Sequence, residues 1–143
     1  MINHVDPTRA QFDAFKALDR DCPIDMLNLV ALNPTAAYPG DHPLADQGLT
    51  GAQAYANYGR DSAPVLAEVG GKIVWRATFD AMLIGPADEA WDIMFIARYP
   101  TAHAFLAMIS HPAYRAAVIH RQAAVATSRL IRSAARDTDG RFG

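Results

Sequence analysis

"WDIMFIARYPTAHAFLAMISHPAYRAAVIHRQAAVATSRLI", residues 91–131, decides the fold. It begins with "WDIMFIARY", an apolar run rich in strand-forming residues and too short for a core helix, so it reads as a strand over 91–99. Thr101 can then cap a helix carrying Phe105, Met108 and Ile109. "SHP" breaks that helix, and Pro112 suits the first position of the next. The second helix is alanine-rich and leads into "SRLIRSA" (128–134), another strand. Strand, helix, break, helix, strand is half of an α+β unit.

The other half lies upstream. "IDMLNLVA" (24–31) is an apolar strand bounded by Pro23 and by the turn-rich "NPTAAYPGDHPLADQG". That connection, 33–49, is longer than most, and reads as a lid, an arm toward a partner subunit or a disordered segment. Thr50 and Gln53 form a capping-box pattern for a helix that runs to about Val69 and stops at Gly70 and Gly71. Its wheel gathers Tyr55, Tyr58, Gly59, Ser62, Val65 and Leu66 on a partly polar buried face and puts Asn57, Arg60, Asp61 and Glu68 opposite. Pro64 removes one of its hydrogen bonds. "KIVWRATFDAMLIG" (72–85) predicts a long strand, joined by the turn "PADEA" to an antiparallel partner at 91–99. At the N-terminus, Asp6 as cap and Pro7 as first residue predict a helix extension over 7–20, with Phe12, Phe15 and Leu18 at helical spacing.

After that helix the order is β-α-β-β-α-β. The fold class is therefore α+β: a ferredoxin-like antiparallel sheet with helices on one face. Strands one and three are apolar on both faces, Met26 and Val30 against Leu27 and Leu29, and Ile93 and Phe95 against Met94 and Ile96. Helices cover one face only. The pattern predicts that a second copy covers the other, giving a homodimer.

At 143 residues and 51% hydrophobic, the chain suits a single domain over 1–143, with a core at 24–133 and a flexible tail at 134–143. A net charge of −2 with no basic cluster argues against nucleic acid, and the apolar runs fall far below the ~18 residues of a membrane span. One cysteine, Cys22, and an N-terminus without signal-peptide character predict a cytoplasmic protein.

"YGRDSAPVLAEVGG" entering a strand, "ARYPT" ending one, and "SHPAYRAA" followed by Arg121 and a small-residue run resemble the family called domain of unknown function 1330. That family lies within the dimeric α/β-barrel superfamily, and the likeness covers 24–133. It implies a dimeric α/β barrel of two ferredoxin-like protomers and carries no assigned activity. Wider superfamily members include cofactor-free monooxygenases, isomerases, lactonizing enzymes and haem-dependent enzymes, and fold does not choose among them. The N-terminal helix and the long loop depart from the family pattern.

The candidate chemistry starts at Arg121, which falls inside the apolar stripe of its helix with Tyr114, Val118 and Val125. A guanidinium there needs a partner, either a protein carboxylate such as Asp25 or Asp92, or the acid group of a ligand. The neighbouring His120 is either an ordinary hydrogen-bonded helical histidine or an acid/base catalyst. Tyr58, beside Gly59 and Ser62, packs a helix on the sheet or lines a pocket. Asn28, inside an apolar strand, bonds to a nearby backbone group or to a ligand. Trp75 and Arg76 point to opposite faces of their strand, and parity alone does not say which faces the helices. These residues make a substrate-binding set of Arg121, Tyr58, Asn28, Trp75 and Arg76 around a catalytic His120. His4, His42, His103, His111 and His120 lack metal-ligand spacing. There is no phosphate loop or nucleophile elbow, and the Asn, Trp and His of haem-degrading superfamily members have no counterparts at matching positions, so no cofactor or metal is expected. Two functions stay open: a homodimer binding a small molecule, anionic if Arg121 anchors it, or a cofactor-independent monooxygenase or isomerase acting on a small cyclic or aromatic compound.

Overall fold

The computed structural model describes residues 3–143. Along the chain come α1 (Arg9–Ala17), β1 (Ile24–Leu32), α2 (Gly51–Glu68), β2 (Lys72–Ala77), β3 (Ile93–Tyr99), α3 (Ala102–Ser110), α4 (Pro112–Ala124) and β4 (Val125–Ser133). The four strands form one antiparallel sheet in the order β2-β3-β1-β4, which is the ferredoxin-like arrangement. The apolar strands β1 and β3 hold the centre, as their two-faced hydrophobicity requires. On the helix side Ile24, Met26, Ala97 and Tyr99 form a core with Val65 of α2, Met108 of α3 and Tyr114 of α4. The opposite face pairs Leu27 with Ile96 and Leu29 with Met94. No element among the described residues lies over it, and Trp75 and Ile131 on its flanks are 41% and 48% exposed.

Four boundaries differ from the sequence expectation. β2 ends at Ala77 rather than 85, and β3 starts at Ile93 rather than 91. The cause lies at Asp92, whose N–H donates to the Val30 carbonyl at 2.8 Å and whose carboxylate accepts from the Leu32 N–H at 2.7 Å, so the chain turns toward β1 and leaves the residues beyond Ala77 without a strand partner. The first helix is capped by Thr8, whose Oγ1 accepts from the Gln11 N–H at 3.1 Å; Asp6 instead accepts from the Gln122 side chain. β4 begins at Val125, directly on the end of α4, three residues before "SRLIRSA".

The 33–49 connection folds back on its own helices. Asn33 and Ala37 donate N–H groups to the carbonyls of Ala124 and Ala123, satisfying the free C-terminal end of α4. Its return into α2 is tight: the Gly51 N–H bonds the Asn33 carbonyl at 3.1 Å, and a Cβ on Gly51 would stand 2.0 Å from that oxygen. The capping box of Thr50 and Gln53 forms as expected, and the helix continues through Pro64.

Candidate functional site

A cavity of about 380 Å³ opens between α2 and the β2–β3 side of the sheet. Tyr55, Tyr58, Gly59, Ser62 and Leu66 of α2 form one wall, and Ile73, Arg76, Phe95, Ala97 and Tyr99 the other. Gly59 keeps the helix wall thin, since nothing lies within 4 Å of where its Cβ would be. Arg76 reaches the cavity through a local irregularity. The β2–β3 register shifts between Ile73 and Trp75, so that Ile73 pairs with Ala97 and Arg76 with Phe95 on the helix side. Such a bulge inverts the side-chain alternation beyond it. Trp75, paired with Ile96, therefore faces the open side of the sheet and leaves the predicted substrate set. None of the ion pairs formed among the described residues involves Arg76, which is exposed at the rim.

Tyr55 and Tyr58 of this wall belong to a cluster of phenols that Tyr114 completes behind it. The Tyr58 and Tyr114 hydroxyls are 2.9 Å apart, and the Tyr58 ring lies 5.3 Å from that of Tyr55 and 6.0 Å from that of Tyr114. Burial pushes the Tyr55 phenol up to about 12 and those of Tyr58 and Tyr114 upward as well; the positive charge of Arg121 opposes this in all three without reversing it. The hydroxyls are neutral hydrogen-bonding groups. Ser62 offers no free proton to the cavity, because its Oγ donates to the Tyr58 carbonyl at 2.6 Å.

Arg121 is held by neither carboxylate that its position suggested. Asp25 makes a two-pronged pair with Arg98 at 2.8 and 2.9 Å, and Asp92 is engaged with β1. Arg121 instead donates to the Val5 carbonyl at 2.6 Å and to Ser128 Oγ at 3.2 Å. It thus sits behind the tyrosines, away from the cavity lining. Asn28 faces the helix side, and its amide donates to the Met26 carbonyl at 3.1 Å.

His120 belongs to a different cluster, on the outer side of α2. Its Nδ1 lies 2.6 Å from the Tyr38 hydroxyl and its Nε2 lies 3.3 Å from Asp61 Oδ2. The His42 ring stacks on Tyr38 at 4.6 Å and meets His120 edge-on at 5.8 Å. Burial lowers the His120 pKa, with Asp61 opposing and His42 adding to the effect. In the neutral ring, Nε2–H donates to Asp61 and Nδ1 accepts from Tyr38. The wheel of α2 had set Asp61 on a solvent face. It is exposed, as the wheel has it, yet close enough to α4 for its carboxylate to reach His120, because α2 packs on the sheet with one side and on α4 with another. Tyr38 gave no periodic signal, since it comes from the irregular loop.

The model of the domain of unknown function DUF1330 matches residues 44–134. The chain belongs to this family. The DUF1330 protein is 55% identical to RPA0582 of Rhodopseudomonas palustris, a protein of unknown function, over 96% of this chain and 100% of that one, with a TM-score of 0.88. Methylated RPA0582 gives the same identity over 96% and 98% of the two chains, with a TM-score of 0.89. At 17% identity, 87% and 100% coverage and a TM-score of 0.51, SnoaB, a cofactor-independent oxygenase from Streptomyces nogalater, shares the fold alone. No match was found among curated proteins. The family resemblance read from the sequence motifs therefore holds, and with it the ferredoxin-like fold. No helix among the described residues is long and apolar enough to cross a membrane.

Proposed function

We propose that this DUF1330 protein is a single-domain homodimer, paired through the open face of the sheet, and that each protomer binds a small, largely apolar acid between α2 and the sheet. The observation that carries the ligand class is Arg76. It is a cation without an ion-pair partner among the described residues, at the rim of an otherwise aromatic and aliphatic cavity. Apolar walls with one convergent polar group favour a ligand that buries a ring or chain and presents an anion to the guanidinium. The homodimer reading draws on the uncovered apolar face around Leu27, Leu29, Met94 and Ile96.

The test is thermal shift with a panel of small aromatic carboxylates, each beside its neutral amide. At least one acid raises the melting temperature and its amide does not, and Arg76→Gln removes the shift while the ligand-free protein melts as before. A panel without a single shift, or an Arg76→Gln protein that still binds the acid, overturns the reading.

A second reading, proton transfer without a cofactor in an isomerase- or oxygenase-like reaction, draws on the Tyr38–His120–Asp61 chain. A phenol bonded to a histidine oriented by a carboxylate is an arrangement able to pass a proton. Solvent deuterium entering a C–H position of a small cyclic or aromatic compound bound at the Tyr38–His120 cluster, and lost in His120→Asn, supports it; exchange unaffected by that change removes it.

A further inference from the structure

The segment between β2 and β3, residues 78–92, is anchored at its returning end and bare at its tip. Glu89 pairs with Arg129 at 3.7 Å, the Arg129 guanidinium lies 5.4 Å from the centre of the Trp91 ring, and Trp91 is buried. Asp92 is tied to β1 by its two hydrogen bonds. The tip has a defined shape. Gly85 adopts φ +145°, which L side chains rarely do, and a Cβ there would stand 2.6 Å from Met82 Sδ. The turn presents Leu83 and Ile84 to solvent, 94% and 91% exposed. A free-standing protomer gains nothing from holding two adjacent aliphatic side chains outward in this way.

We propose that residues 78–90 form an arm that docks on a second copy of the chain, with Leu83 and Ile84 as its anchors. Continuity and charge both point to a second copy as the occupant. The arm leaves β2 at Ala77, which pairs with Met94 on the open face of the sheet, so the arm begins at the rim of the surface that lacks a cover. The two ends of that surface are complementary. The arm carries exposed Asp80 and Asp88, while Lys72 and Arg98 pair at the far end of β2 and β3, Arg98 being already bound to Asp25. A two-fold axis running across the strands brings each arm to the basic end of its partner, and one symmetric contact covers both sheet faces and both tips. A partner of different sequence would have to match face and arm separately.

The inference rests on the homodimer reading and adds the arm to it. Sedimentation equilibrium of the full chain measures the dimer dissociation constant for the unaltered protein and for Leu83→Ser/Ile84→Ser. In parallel, a benzophenone amino acid placed at position 83 reports what the tip touches. The expected results are a dissociation constant raised at least tenfold in the double variant and a photo-crosslink joining two copies. An unaltered chain that is monomeric at tens of micromolar overturns the homodimer reading and the arm together. A dimer whose dissociation constant survives the double substitution, with crosslinks confined to one copy, overturns the arm alone.

Discussion

Replacing Arg121 by Met keeps an apolar stem of similar reach and deletes the guanidinium. Two hydrogen bonds disappear, one to the Val5 carbonyl at 2.6 Å and one to Ser128 Oγ at 3.2 Å. The second belongs to a chain, because Ser128 Oγ donates to the His4 carbonyl at 2.8 Å and the Ser128 N–H reaches the same oxygen at 2.7 Å. Arg121 thereby ties residues 4–5 to β4. A hydrogen bond from a charged group contributes about 1.5–3 kcal/mol, and water can replace part of it at the half-exposed Val5, so the loss should be on the order of 2–3 kcal/mol. For a chain of this size that is a fall in melting temperature of roughly 6–10 °C. Calorimetry of Arg121→Met measures it, and a double-mutant cycle with Ser128→Ala should return a coupling of about 0.5–1.5 kcal/mol. Unchanged or raised stability would refute the reasoning. It would mean that the guanidinium is poorly paired in the free protein and that an anionic ligand is its proper partner.

Gly59→Ala should stabilise α2 by about 0.5–1 kcal/mol, because the helix gains an alanine and the space beside it is empty; a loss in the urea midpoint would contradict the open cavity wall. Tyr58→Phe leaves the buried Tyr114 hydroxyl without its partner and should cost about 1–2 kcal/mol, whereas adding Tyr114→Phe should cost less than the sum of the single changes; strict additivity in denaturant titrations would deny the coupling. On the acid side, His120 has a folded pKa below its ordinary 6.5, so its stabilising contribution is complete above 6.5 and is lost as pH falls through the folded value. His120→Gln should flatten the stability profile between pH 7 and 5, and parallel profiles for the two proteins would argue otherwise. On the alkaline side Tyr55, near 12 folded against 10.0 unfolded, should draw stability down as pH rises above 10, and Tyr55→Phe should lessen that slope.

The sequence by itself determined the order of elements, the ferredoxin-like topology and the family, because these rest on local signals that survive folding. Thr50 and Thr101 mark helix starts through side-chain oxygens that accept first-turn N–H groups and Pro112 through its fixed backbone angle, and the two apolar faces of 24–31 and 93–99 place those strands centrally whatever surrounds them. It also singled out Tyr58 and Arg76, both of which line the cavity. Only the tertiary structure decided what each polar side chain meets. Arg121 was legible as a charge in an apolar stripe, yet its partners lie 116 and 7 residues away on the N-terminal segment and β4. Trp75 and Arg76 were distinguishable only once the bulge at 73–75 fixed their parity, because a single extra residue inverts every facing beyond it. His120 found Tyr38 in an irregular loop and Asp61 on a flank that one helical wheel assigns to solvent. A wheel knows one neighbour, and α2 has two.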